Sequence, residues 1–445
     1  MTRYELLLVW CLLLAGTTAL PGVSLAQPTR EQVIAETMKP YAGPSGEGVD
    51  TRTMTGKVLS GYQGWFAAPG DGLGRGWIHW GGRRFGPGSC SIDLWPDMTE
   101  YGPDERFVTP FRHADGQAAN VFSSFNRKTV LRHFEWMKQY GLDGVFVQRF
   151  AVQTRHPFGL RHCTTVLAHC REGANLHGRT YAVMYDLTGL QNGQGQCVID
   201  DWKLLVQRMQ ITKDPAYLRH GGRPVVAIWG IGFTDRRLGP AEGLDLVRKF
   251  KSDPSMGPCT VLLGVPTHWR TLRSDCVRDE VMHDVVRAGD IISPWTVGRY
   301  TTPRQAEAYA RTTARADLDW CRQNRKDFMP VVFPGFSWHN MNPRSPLDQI
   351  PRLKGKFLWA QYQAACEIGA TMVYQAMFDE VDEGTAIFKC TNDPPVGESK
   401  FVTYEGLPSD FYLKLVGQAG RLIRGERIGD ATLLPPGEPA PAGPK

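Results

Sequence analysis

The sequence predicts an α/β protein built as one (β/α)8 TIM barrel. Two observations carry this expectation: eight short apolar runs rich in Val, Ile, Phe or Tyr recur from about residue 58 onward, and stretches with an amphipathic, helical pattern separate them. Eight such units in a parallel sheet close most naturally into a barrel whose site lies at the C-terminal ends of its strands. An open doubly wound sheet is the competing architecture, but no GxGxxG follows an early strand to support it.

In chain order the expected strands are 58–65, 144–150, 180–186, 224–230, 260–265, 291–295, 330–333 and 371–378. The expected helices are 129–140, the region around 162–172, 200–209, 241–250, 275–287, 303–324 and 357–367, with 411–423 after the last strand. The first βα connection, 67–128, is too long for a simple loop and rich in Gly, Pro, Trp and Asp, so it is expected to build one wall of a cleft. The resulting division is a signal peptide (1–26), an N-terminal arm (27–55), the barrel domain (56–430) and a tail rich in Pro, Ala and Gly (431–445), expected to be disordered. There is no internal repeat and no separate binding module.

The apolar stretch 6–20 is short for a membrane span and right for a signal-peptide core, and Ser24-Leu25-Ala26 is a plausible small-residue cleavage site. A secreted or periplasmic protein with no stable membrane insertion after cleavage is expected. Cleavage would leave nine of the ten cysteines, an odd number, for which several disulfides and one free thiol are expected in an oxidising compartment. The formal net charge of +6 is carried by dispersed basic residues, which gives no support to a nucleic-acid partner. Thirteen tryptophans and fourteen tyrosines fit a protein that stacks aromatic rings on sugar faces, although any single ring serves equally well as core.

The most informative segment follows the last expected strand, where Asp379, Glu380, Asp382 and Glu383 occupy four of five positions. Carboxyls held together repel, which raises one pKa while another stays low and separates a proton donor from a base. Glycosidic bond cleavage needs that division, so Glu380 and Glu383 are the expected catalytic pair, with Gly384 supplying a tight turn that brings Glu383 back over the cleft. Asp379 and Asp382 fit an orienting or surface role. Other strand ends offer a saccharide pocket: Tyr62, Trp65, Gln148, Arg149, Asp186, Trp229, Trp295, Trp338 and His339, with His79 and Trp80 from the long connection above them. Each has a packing alternative, and His339 serves equally as a structural histidine. No GxSxG elbow, HExxH, P-loop or cofactor fingerprint is present, so no cofactor and no metal are expected. A metal set of Asp186, His339, Asp379 and Glu380 has no recognised ligand spacing.

Three segments resemble glycoside hydrolase family 99, the group of endo-α-mannosidases and α-mannanases related to the family 71 glucanases. Gly61-Tyr62-Gln63-Gly64-Trp65-Phe66 is similar to an aromatic Tyr-x-x-Trp-Tyr start, Trp77-Ile78-His79-Trp80 to a Trp-x-His-Trp element, and Glu380-Val381-Asp382-Glu383-Gly384-Thr385 to a Glu-Trp-His-Glu-Gly-Thr segment. The resemblance implies a barrel glycosidase in which Glu380 deprotonates the sugar's own 2-hydroxyl and Glu383 protonates the leaving oxygen and later activates water, giving retention through a 1,2-anhydro intermediate. It departs at Val381-Asp382 and in the strands around 181–186 and 225–233. The expected substrate is therefore an α-linked oligo- or polysaccharide, mannan-like or other, and a catalytically silent glycan-binding protein on the same barrel stands as the alternative.

Overall fold

A computed structural model of the chain describes residues 28–82 and 84–426. The expected signal peptide and tail lie outside the described residues. All eight expected barrel strands form, within a few residues of their expected bounds: β1 (Val58–Tyr62), β2 (Gly144–Phe150), β3 (Thr180–Asp186), β4 (Arg223–Trp229), β5 (Thr260–Val265), β6 (Ile291–Pro294), β7 in two short pieces (Asp327–Phe328 and Val331–Val332) and β8 (Val373–Gln375). They pair in parallel in the order β6, β5, β4, β3, β2, β1, β8.

Closure runs through β7. Its first piece pairs with β6 and its second with β8, so the ring is completed by one strand that changes partner at Pro330. Proline has no N–H for the ladder, and the neighbouring groups make up the difference: Met329 N donates to Ile292 O at 2.9 Å, and Pro330 O accepts from Tyr374 N at 2.9 Å. Every strand is buried over most of its length, as a parallel sheet covered by helices on its outside requires.

The helices follow the expected pattern and carry recognisable ends. The helix Arg127–Tyr140 starts on Asn126, whose side chain accepts from Lys128 N at 2.9 Å, and stops at Gly141 with φ 80°. Proline opens Pro157–His177, Pro240–Ser252 and Pro303–Tyr309 at the position where its missing N–H costs nothing. One boundary differs: the helix expected from 275 begins at Val281, because Asp275 is captured in the preceding loop by Thr267, His268 and Arg299.

The arm is not loose. It contributes the helix Arg30–Thr37, packed against Pro157–His177, and then runs past the entries to the strands, with Gly46 N donating to Asn175 O (2.8 Å), Val49 N to Gly178 O (3.0 Å) and Gly56 N to Thr371 O (2.7 Å). Val33, Met38 and Met54 are buried under it. Among the described residues all nine cysteines are free thiols, contrary to the expected disulfides; five of them are buried, and Cys163 and Cys170 share the helix Pro157–His177 without pairing. No helix among the described residues is long and apolar enough to cross a membrane.

Between barrel and helices lies one fully buried ion pair. Arg149 on β2 donates to Asp201 through Nε (2.6 Å) and NH2 (2.7 Å), and Tyr185 on β3 adds its hydroxyl to the same carboxylate at 2.6 Å. Removing one member leaves the other charge buried without compensation. Asp201→Ala is therefore expected to lower stability by about 3–5 kcal/mol in urea unfolding, and a loss under about 1 kcal/mol would show that the pair does not hold β2 to its helix layer.

Candidate functional site

Glu380 and Glu383 line a cavity of about 880 Å³. The cavity lies at the C-terminal ends of the barrel strands. The way the chain reaches it explains why the acids face inward. β8 stops at Gln375, three residues short of its expected end; Ala376 N and Phe378 N still reach Val332 O and Gly61 O in the neighbouring strands, but the groups between them bond the returning chain. Met377 N donates to Thr385 O (3.1 Å) and Phe388 N to Phe378 O (3.0 Å), so 379–384 becomes the tip of a tight loop. Gly384 adopts φ 62° there, and a Cβ on it would stand 3.0 Å from Ser337 N.

Asp379 fixes the tip to β1. Its carboxylate accepts Gln63 N at 2.7 Å and Gly64 N at 2.9 Å, which is why β1 ends at Tyr62 rather than at residue 65. Burial pushes the Asp379 carboxyl up to about 7 despite those two donors. Glu380 takes Thr385 Oγ1 at 2.6 Å on one oxygen and Gln63 Nε2 on the other. Its pKa lies well above the carboxylate range through burial and the neighbouring Glu383 and Asp382. Glu383 is partly exposed to the cavity and has no hydrogen-bond partner on its carboxyl among the described residues; burial, then Asp382 and Asp186, raise it to about 7.

Two interacting carboxyls release their protons as a pair. Thr385 and Gln63 favour the charged form of Glu380, while burial and the neighbouring Glu383 and Asp382 oppose it, so the pair holds a proton between one carboxyl served by donors and one without them. Near neutrality the arrangement thus offers one base and one acid to the same cavity.

Of the expected sugar-binding residues, Trp65, Gln148, Asp186, Trp229, Trp295 and Trp338 line this cavity. Five do not. Tyr62 is fully buried, with its hydroxyl 2.8 Å from His133 Nδ1. Arg149 belongs to the ion pair with Asp201. Both errors have one cause: consecutive strand residues point to opposite faces, so Gln63 and Gln148 take the inside while Tyr62 and Arg149 face the helices. Trp80 is fully buried against Phe66 and Phe122 at 4.4 and 5.1 Å. His79 stacks on Trp65 at 3.8 Å, nearly parallel, and directs Nδ1 to Asp382 at 3.3 Å, so it supports the site from behind. His339 turns Nδ1 to Ser345 O at 2.8 Å and is held by its backbone to Asp93.

The long first connection likewise backs the acid loop instead of walling the cleft. Asp93 N and Leu94 N donate to Val381 O at 2.9 and 3.1 Å, and the Asp93 carboxylate collects Ser337 Oγ, His339 N and Asn340 N. The far wall comes from the loops after β4, β5 and β6; the first two are zipped together by Thr234 N to Asp275 O (3.1 Å) and Val277 N to Gly232 O (2.9 Å), and Arg299 of the third pairs with Asp275 at 3.1 Å. These loops bring Arg299, which the sequence offers among its polar strand ends, and Phe233, Arg236 and His268, which it does not single out for sugar binding, since irregular loops have no period to read. Arg236 lies over Trp229 at 5.1 Å and covers that ring. Among the described residues no group of three or more His, Cys, Asp or Glu is arranged to hold a metal ion, and Asp186, His339, Asp379 and Glu380 do not gather into one.

Solved structures share this architecture. Two are of a glycoside hydrolase family 99 endo-α-mannosidase from Bacteroides thetaiotaomicron, one in complex with bis-tris-propane. Their TM-scores are 0.59 and 0.58 at 17% identity, covering 84% and 85% of this chain and 99% and 100% of theirs. A glycoside hydrolase-like protein follows at TM-score 0.52 and 12% identity, over 87% of this chain and 98% of its own. At such identities the likeness is one of fold, and it agrees with the barrel expected from the sequence. No protein-family model and no curated protein matches the chain.

A carboxyl whose folded pKa is about 7, against 4.5 unfolded, leaves stability intact below pH 4.5 and costs stability as pH rises through 7. Glu383→Gln is therefore expected to match the parent in urea at pH 4 and to exceed it by about 1–3 kcal/mol at pH 8. Equal stability at both pH values would show that Glu383 titrates normally.

Proposed function

We propose that this protein is an exported glycoside hydrolase that cleaves an α-linked glycan with retention, using the sugar's 2-hydroxyl as the internal nucleophile. The observation that carries the reading is the unequal surroundings of Glu380 and Glu383 on one cavity: donors on the first, none on the second. Glu380 as an anion takes the proton from the 2-hydroxyl, whose oxygen then attacks the anomeric carbon and closes a 1,2-anhydro sugar. Glu383 gives its proton to the departing glycosidic oxygen. In the second half Glu383, now ionised, takes a proton from water, the water opens the three-membered ring at the anomeric carbon, and Glu380 returns its proton to the 2-oxygen. Two inversions give net retention.

The remaining groups suit this chemistry. Carboxyls from Asp186 and the acid loop, with no Lys or Arg hydrogen-bonded to them among the described residues, favour the positive charge that develops on the sugar ring. Trp65, Trp295 and Trp338 supply apolar faces for C–H surfaces, and Gln148, held by Tyr374 at 2.9 Å, supplies an amide for hydroxyls. The family 99 likeness of the acid loop and the shared barrel support the same assignment, as does the leader-like segment 6–20 for export.

The test is a reducing-end release screen across α-mannans, α-glucans and other plant, algal and microbial polysaccharides. Both Glu380→Gln and Glu383→Gln are expected to lose at least about 100-fold in rate. Hydrolysis by the parent is expected to fall as pH rises above about 7, because Glu383 must hold its proton to act as acid. An inverted anomer in the first-formed product, read by NMR, would overturn the retaining route. Saturable glycan binding with no release of reducing ends by the parent would put the non-catalytic reading in its place.

A further inference from the structure

Behind Gln63, between the barrel and the helix Pro157–His177, lies a second, much smaller void of about 10 Å³, lined by Gln63, Trp65, His162 and their neighbours. It is about the size of one probe sphere, the least space that holds a water molecule. Each of these three residues carries a buried polar atom with no hydrogen-bond partner among the described residues: Gln63 Oε1, Trp65 Nε1 and His162 Nε2. Buried polar atoms are costly to leave unpaired, and three around one void ask for a common partner.

Their donor and acceptor roles complement one water. Trp65 Nε1 only donates. His162 Nδ1 lies 3.3 Å from Arg75 NH1, which donates and leaves Nδ1 to accept, so the proton of the neutral ring sits on Nε2. Burial and the Arg75 charge keep that ring neutral, with a pKa of about 3; the Gly64 carbonyl opposes this weakly and forms no well-shaped bond to it. Gln63 donates through Nε2 to Glu380, which leaves Oε1 to accept. Two donors and one acceptor are what a water satisfies with both lone pairs and one O–H.

We propose that one buried water bridges Trp65, His162 and Gln63, and that His162 is thereby a positioning residue for Glu380. The water locks the Gln63 amide with its NH2 toward the Glu380 carboxylate. Were the amide to flip, its carbonyl oxygen would face the carboxylate and favour a protonated Glu380, which cannot act as base. His162 never meets the glycan; it acts through the water and Gln63. This inference rests on the base role given to Glu380, but its physical part does not.

The test has two arms. A crystal structure of the whole protein at about 1.5 Å or better is expected to show a single water within hydrogen-bond distance of all three atoms, and a dry void or a protein partner on these atoms would overturn the proposal. In the second arm, the Glu380 carboxyl is followed by carbon-13 NMR, assigned by its absence in Glu380→Gln. It is expected to titrate about one pH unit higher in His162→Phe than in the parent, since a donor to the charged form is lost. His162→Gln, which keeps an N–H at the same place, is expected to restore the parent value, and Gln63→Leu combined with His162→Phe to shift no further than Gln63→Leu alone. An unchanged titration, or additive shifts, would overturn the positioning role. If His162→Phe does not fold, Trp65→Phe is read in the same way. The acidic limb of glycan hydrolysis should move with the NMR value, so a protein that hydrolyses no glycan fails the glycosidase reading while both arms still decide the water.

Discussion

The Asp379 carboxylate is the joint on which the site depends. It is fully buried, it takes the backbone N–H groups of Gln63 and Gly64, and it thereby ends β1 and anchors the loop after β8 in one stroke. Gln63 then has a fixed position from which to reach Glu380, and Glu380 is braced from the other side by Thr385 on the returning chain. A carboxyl in so dry a place is held at a cost, visible in its raised pKa. That cost is spread over a loop whose own backbone is bonded across 377–388, so the acids sit on a rigid tip and not on a mobile one.

A second layer supports the first. The long connection after β1 has a core of its own, with Trp80, Phe85, Trp95, Phe111 and Phe122 in ring-to-ring contact, and it presents Asp93 and His79 to the rear of the acid loop. Asp93 ties that loop to the segment 337–340, which brings Trp338 to the cavity. One buried carboxylate thus aligns an aromatic wall with the acids. Most of the tryptophans serve packing of this kind; Trp80, Trp95, Trp136, Trp202 and Trp269 are fully buried, and a smaller group reaches the cavity.

The charges around the cavity are arranged, not merely abundant. On the inner side burial, then Asp382 and Asp186, raise Glu383, and burial, then Glu383 and Asp382, raise Glu380; on the far wall burial of Asp275 is outweighed by Thr267, His268 and Arg299, which hold its carboxylate ionised. A cavity that is acidic at one end and balanced at the other concentrates its field at the acid end.

The sequence by itself determined the order of strands and helices, the closure into a barrel and the place of the acid cluster after the last strand, because hydrophobic period and turn residues are local signals. The resemblance of three short segments to one glycosidase family pointed the same way as the shared fold. Only the tertiary structure decided which residues share the cavity. Parity along a strand separates Gln63 from Tyr62 and Gln148 from Arg149, and the register that sets parity comes from pairing with distant strands. The placing of His79 and Asp93 depends on contacts across more than two hundred residues, Asp93 with Asn340 and His79 with Asp382, and the loops after β4 to β6 are placed by one another. No local pattern encodes such a contact, since the two partners meet only once the barrel has closed.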